Sequence, residues 1–189
     1  MTAEAPTPLI VLMVGLPGAG KTTLARRMAP ALGAVILNRD EIRDAIFPEP
    51  FLDYSREQNQ VGTDALHGVL GYLLKRPRPA FIIVDGKPFS RRSEIAAVAD
   101  LVEHGAGRLL ILHCVAPADV IARRLREGLA DPINVRAERH PEKAARIRGE
   151  FEPIEVPHAT VDTSGPAEAV LREALAHVRS AGGGAAQSR

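Results

Sequence analysis

The chain is poor in the residues that carry several common chemistries. It has one cysteine, no tryptophan, two tyrosines and five phenylalanines in 189 residues. A single cysteine excludes any disulfide within the chain. Cys114 falls inside the apolar run Leu109–Val115, where a free thiol packs as a small hydrophobe. So few aromatics leave no evident stacking platform for single-stranded nucleic acid. Charge of one sign is also lacking: 24 basic side chains stand against 23 acidic ones, for a net +1, which exerts no global pull on nucleic acid or membrane. No apolar run approaches the roughly 20 residues of a membrane span. Met1–Pro8 has no basic segment followed by an apolar core, so no signal peptide is read there and a soluble, cytoplasmic protein is expected. The six histidines are scattered without metal-ligand spacing, and neither a structural zinc nor a serine or cysteine triad is indicated.

What is present is concentrated near the start. Gly15-Leu16-Pro17-Gly18-Ala19-Gly20-Lys21-Thr22 has the form G-x-x-x-x-G-K-[ST]. It follows the strand-like run Leu9–Val14 and opens the helical pattern that begins Lys21-Thr22-Thr23. Strand, glycine-rich loop and helix together make a phosphate cradle: glycines let the backbone wrap with N–H groups inward, and the helix start adds free N–H groups and a positive dipole end. Gly15 through Thr23 are therefore the candidate nucleotide-binding residues. Lys21 reaches the β- and γ-phosphates, and the Thr22 hydroxyl is a candidate Mg²⁺ ligand. ATP and Mg²⁺ are the expected cofactors.

Around this loop, short apolar runs alternate with helical patterns. Strands are expected at Leu9–Val14, Ala34–Leu37, Phe81–Val84, Arg108–Val115 and Ala159–Val161. Helices are expected at Lys21–Leu32, Asp40–Ile46, Arg56–Lys75, Arg91–His104, Pro117–Glu127, Pro141–Phe151 and Ala167–Arg179. In the third helix Val61, Ala65, Leu66, Val69, Leu70, Leu73 and Leu74 are expected to share one apolar face. The alternation implies an α/β doubly wound parallel sheet. Met1–Pro8 is read as a flexible arm, 9–180 as one domain, and 181–189 as a disordered tail.

In such a sheet ligands sit outside the carboxyl ends of the strands, and these ends carry polar residues. The second strand leads into Asn38-Arg39-Asp40-Glu41-Ile42-Arg43. Asp40 is placed either to cap the helix or to take the proton of an acceptor hydroxyl. Arg43, three residues on, shares its face and suits an anionic group on the acceptor; Arg39 is left out. The third strand ends in Asp85-Gly86-Lys87, where Asp85 is a candidate for Mg²⁺ or for the acceptor and Lys87 a weaker contact for a negatively charged acceptor. Between Arg123 and Arg148, eight basic residues stand against four acidic ones. A lid is read at about 128–141, with Arg124 and Arg126 the candidate transition-state arginines. Thr163–Pro166, after the fifth strand, is placed to border the adenine.

At Gly15–Thr23, Asn38–Arg43, Val84–Asp85 and the basic lid, the sequence resembles the P-loop kinase group of AAA-type ATP-binding kinases. That group includes polynucleotide 5′-hydroxyl kinases, chloramphenicol phosphotransferases, gluconate kinases and zeta toxins. The resemblance spans Leu9 to about Arg179. It implies a three-layer P-loop kinase fold with a five-stranded parallel sheet and a mobile basic lid. It also implies transfer of the γ-phosphate of ATP to a hydroxyl group, with Lys21, Asp40, Arg43, Arg124 and Arg126 catalytic and Asp85 with Thr22 at the metal. Asn38-Arg39-Asp40-x-x-Arg43 is similar to the polynucleotide kinase acceptor motif, in which the aspartate is the general base and the arginine binds an acceptor phosphate. Asp85-Gly86-Lys87 departs from that family's third-strand pattern. A small-molecule acceptor is therefore favoured, a nucleic-acid or nucleotide 5′-hydroxyl comes second, and an NTPase switch or a zeta-type toxin third. No membrane and no obligate protein partner are expected.

Overall fold

The computed structural model of the chain describes residues 7–76, 79–129 and 141–183. Five strands, β1 (Leu9–Val14), β2 (Val35–Asn38), β3 (Phe81–Asp85), β4 (Arg108–Val115) and β5 (Ala159–Asp162), form one sheet in the order β2-β3-β1-β4-β5. Every pairing is parallel. Among the described residues seven α-helices connect and flank them: α1 (Lys21–Leu32), α2 (Arg39–Ile46), α3 (Arg56–Leu74), α4 (Arg92–His104), α5 (Ala118–Leu129), α6 (Pro141–Glu150) and α7 (Ala167–Gly183).

The central strand β1 is buried at every position, and its alternation divides the core. Leu9, Val11 and Met13 pack with Leu24, Ala25 and Met28 of α1 and Val170, Ala174 and Val178 of α7. Ile10, Leu12 and Val14 pack with Leu66, Leu70 and Leu74 of α3 and Ile95, Val98 and Val102 of α4. A strand buried on both faces reads as a continuous apolar run because side chains of both parities meet a helix layer. Cys114 belongs to the α1/α7 side and is 1% exposed. Burial pushes its thiol up to about 12, which removes it from nucleophilic chemistry at neutral pH.

The elements fall where the sequence pattern puts them, with instructive shifts. α2 begins at Arg39 because Asn38, not Asp40, is its cap: the Asn38 side chain accepts from the N–H groups of Asp40 and Glu41. Asp40 is thereby released from the capping role the sequence left open. A 3-10 turn at Glu49–Phe51 was not expected. In α3 the buried hydrophobic side chains are Leu66, Leu70 and Leu74, continuing the buried Gln58 and Gly62 at the same spacing, while Val61 and Val69 face solvent. The true face follows i, i+4, i+8, and the broader apolar set overstates it. α7 runs to Gly183, four residues past the expected Arg179. Residues 130–140, most of the expected lid, lie outside the described residues, as do residues 1–6 of the arm and 184–189 of the tail. No described helix is long and apolar enough to cross a membrane.

Candidate active site

The loop between β1 and α1 is held by its glycines. Gly15, Gly18 and Gly20 have φ of 142°, 80° and 79°, values that L side chains rarely adopt. At Gly15 a Cβ would also strike the Cys114 carbonyl oxygen. Lys21 is 8% exposed, and its Nζ donates to the carbonyls of Gly15 at 2.8 Å and Leu16 at 2.9 Å. Burial lowers its pKa, opposed by the nearby carboxylates of Asp85 and Asp40. Both acids are thus within electrostatic reach of the lysine. α2 and α3 begin under capping side chains, Asn38 and Ser55. α1 begins at Gly20 with no side chain on its first amides. The N–H groups that open a helix have no intrahelical partner, and here they face a cavity.

That cavity has a volume of about 990 Å³ and lies along the carboxyl ends of the strands. Pro17, Gly18, Gly20, Lys21, Thr22 and Thr23 line it, whereas Gly15, Leu16 and Ala19 do not. Those three serve the loop from behind: the first two lend their carbonyls to Lys21, and the Ala19 carbonyl accepts from the Thr163 hydroxyl at 2.9 Å. On the β4/β5 side, Arg124 donates to the Thr163 hydroxyl at 3.0 Å, the Thr163 carbonyl at 2.7 Å and the Gly18 carbonyl at 3.5 Å. Arg124 therefore ties the phosphate loop to the turn after β5, and Thr163 and Gly165 of that turn also line the cavity. Arg126 lies on the exposed face of α5 and does not line the cavity. One helical position separates the two arginines, and the period of 3.6 turns only the first inward.

On the β2/β3 side, the register pairs Asn38 with Asp85. Asn38 Nδ2 donates to Asp85 Oδ2 at 2.9 Å. The other oxygen, Oδ1, is buried without a hydrogen-bond partner among the described residues. A buried carboxylate oxygen left unsatisfied is costly, and it marks a place where a cation or its water would be welcome. Thr22 and Asp85 both offer oxygen, the donor type that Mg²⁺ takes. Among the described residues no three His, Cys, Asp or Glu side chains gather as a metal cluster, so such an ion would draw its remaining ligands from phosphate and water. Gly86, at φ 89°, allows the turn after β3 to press against the start of α2; a Cβ would lie 2.6 Å from the Arg39 N and 2.8 Å from the Asp40 N.

Asp40 lines the cavity and is 21% exposed. Arg39 Nη2 lies 3.1 Å and Arg43 Nη1 3.5 Å from its Oδ1. Arg43 differs from the expectation. It shares the Asp40 face as its spacing requires, but it is wholly buried and does not line the cavity. Its guanidinium pairs with Asp44 at 2.8 Å, donates to Asn59 Oδ1 at 2.6 Å and lies 4.6 Å from the centre of the Tyr54 ring. It ties Asp40 of α2 to Asn59 of α3. Arg39, which the sequence reading left out, does line the cavity. It donates to the Gly86 carbonyl at 3.2 Å and to Asn59 Oδ1. Asn59 was also missed. Its signal was the polar opening of α3, Gln58-Asn59-Gln60, ahead of an otherwise apolar helix.

Comparison with known proteins places this geometry. Solved structures with the same architecture include a gluconokinase from Sinorhizobium meliloti 1021, at 20% identity and a TM-score of 0.67, covering 97% of this chain and 99% of that one. The Mycobacterium tuberculosis APS kinase CysC, in complex with AMPPNP and APS, has 17% identity and a TM-score of 0.67, covering 92% and 99%. A sugar kinase from Janibacter sp. HTCC2649 has 21% identity and a TM-score of 0.61, covering 92% and 95%. The fold is the three-layer fold of P-loop kinases. No curated protein matches the sequence. One family, described as an AAA domain, matches residues 10–164; with the strand–loop–helix cradle around Lys21 at its heart, the chain belongs to that AAA domain family.

Proposed function

We propose that the chain is an ATP- and Mg²⁺-dependent phosphotransferase that moves the γ-phosphate to a hydroxyl of a small molecule. The observation that carries this reading is that Lys21 and Asp40 line one cavity at the carboxyl ends of the strands, with Asp85 buried at the end of β3 between β2 and β1. The open amides of α1 bind the phosphates, and Lys21 leaves the loop carbonyls to neutralise the β- and γ-oxygens. Mg²⁺ on Thr22 and Asp85 would spread the phosphate charge. Asp40 accepts the proton of the acceptor hydroxyl as its oxygen bonds to the γ-phosphorus and the bond to ADP breaks. Arg124, already on the loop, adds positive charge at the phosphates.

The cavity volume lies within the range of small-molecule sites. The names of the structural relatives, a gluconokinase, a sugar kinase and an APS kinase, point the same way. The polynucleotide alternative is weakened by Arg43, which lies buried away from the cavity instead of reaching an acceptor phosphate.

The test is transfer from [γ-³²P]ATP to pooled hydroxylated metabolites, antibiotics and 5′-hydroxyl oligonucleotides, with wild type and Asp40→Asn. The variant should lose about a hundredfold or more in transfer while keeping its ATP affinity. Unchanged transfer overturns the assigned base. Label on the oligonucleotide would move the 5′-hydroxyl reading to the front. Free phosphate with no labelled acceptor would favour an NTPase switch. Growth arrest on expression that depends on Lys21 would favour a zeta-type toxin.

A further inference from the structure

The β2/β3 side of the cavity carries more positive charge than its own structure uses. Arg39 is committed to Asp40, Asn59 and the Gly86 carbonyl, and Lys87 to Glu94 at 2.9 Å. Arg56 and Arg91 also line the cavity, and both are exposed. Arg56 is the first residue of α3 and Arg91 the N-cap of α4. These are the positive ends of the two helix dipoles, where a cation is disfavoured. The Arg91 backbone N–H donates to Glu94 Oε2 at 3.2 Å as part of the cap of α4, but neither side-chain charge favours its helix. Arg56 has no ion-pair partner among the described residues, and the Arg91–Glu150 pair, at 3.4 Å with both side chains more than half exposed, is of the kind that contributes little. Two helix starts thus bring unfavourable charge to the same cavity that holds the aspartate that would take the acceptor proton.

Resting on the phosphotransfer reading, we propose that the acceptor carries an oxyanion, which Arg56 and Arg91 bind while its hydroxyl lies at Asp40. Carboxylate, phosphate and sulfate share the chemistry that guanidinium groups bind by paired N–H donors. Such an anion would match the charge of the two arginines and interact favourably with both helix starts. A neutral polyol would leave those charges unmatched, and a cationic acceptor would be repelled. Burial, and then the nearby Lys87 charge, hold the imidazole of His67, another residue lining the cavity, below its usual pKa.

The test separates this inference from the reading beneath it. The phosphate loop is first saturated with Mg·AMPPNP, and sodium sulfate is then titrated at constant ionic strength by calorimetry. Wild type should bind one further sulfate, and Arg56→Ala and Arg91→Ala should each bind it about tenfold more weakly. The Mg·AMPPNP affinity of each variant reports that it is folded. If AMPPNP binds and no second sulfate does, or if both variants bind it as wild type does, the oxyanion site is overturned while the kinase reading stands. If AMPPNP itself fails to bind, the reading beneath fails and the inference with it. A second arm offers matched acceptors, a sugar alcohol against the corresponding sugar acid and sugar phosphate, with [γ-³²P]ATP. Preference for a charged member by tenfold or more in kcat/KM, with KM raised in Arg56→Ala, supports the proposal and tells carboxylate from phosphate. Preference for the neutral member overturns it.

Discussion

The two halves of the cavity are built by different means. On the β1/α1 side the site is mostly backbone: glycine conformations, carbonyls that hold Lys21, and the uncapped amides of α1. On the β2/β3 side it is mostly side chain: Asn38, Arg39, Asp40, Arg43 and Asn59 lock one another across β2, α2 and α3. A backbone site recognises what all its ligands share, here phosphate. A side-chain site can be changed one residue at a time without disturbing the loop that binds the nucleotide. The difference explains how one fold serves many acceptors.

Substitutions can break this division or sharpen it. The largest effect is expected from Lys21→Ala, which removes both the charge on the phosphates and the tie to the Gly15 and Leu16 carbonyls. Transfer should fall by about a hundredfold or more, measured as single-turnover rate, while sulfate binding at the Arg56 wall persists in the nucleotide-loaded protein. Loss of both would show that the halves are not separate.

Next comes Gly86→Ala. Its φ is in the left-handed region, and the added Cβ meets the backbone at the start of α2. A loss on the order of 3 kcal/mol, or about 10 °C in Tm, is expected. Gly33→Ala is the control: its φ is 61° but a Cβ there meets nothing within 4 Å, so only the smaller conformational cost of about 1 kcal/mol applies. Equal melting temperatures for the two variants would refute the claim that close approach at Gly86 shapes the acceptor side.

Asn59→Ala should act on one half only. With the shared acceptor of Arg39 and Arg43 removed, Asp40 is held less firmly, and kcat should fall by about tenfold with the KM for ATP unchanged. A rise in the KM for ATP instead would place Asn59 in the nucleotide half.

The smallest effect concerns His113, beneath the phosphate loop beside Phe151 and His158. Burial, then the charges of His158 and Lys21, hold its imidazole below the usual range. The unfolded chain therefore takes up the proton first as pH falls below about 6.5, and stability declines from there down to the depressed folded value. Between pH 7.5 and about 5.5, wild type should lose more Tm than His113→Asn. Parallel losses in the two proteins would assign the acid sensitivity elsewhere.

The residues themselves announced the first half of the site more fully than the second. Gly15–Thr22 is contiguous, and its shape rests on its own glycine conformations and on Lys21 reaching back to the Gly15 and Leu16 carbonyls, so spacing alone predicts the cradle. The strands were legible for a similar reason: β1 is buried on both faces and carries no polar residue. The network around Asp40 was legible only in part. Asp40 and Arg43 were found, but the arginine that lines the cavity is Arg39, and Arg43 is enclosed. Helical spacing of three says that two residues share a face; it does not say what packs on that face. Here Tyr54 and Asn59, which lie outside α2, cover Arg43.

By itself, then, the amino-acid sequence determined the alternation of strands and helices, the phosphate loop, and the presence of carboxylates after β2 and β3, because these depend on local conformation and on the period of apolar residues. Tertiary structure alone decided that Asn38 caps α2 while gripping Asp85, that Arg124 faces the loop and Arg126 does not, and that Arg56 and Arg91 line one cavity. Those facts depend on strand register and on helix rotation about the sheet, and both are settled by the packing of the whole core.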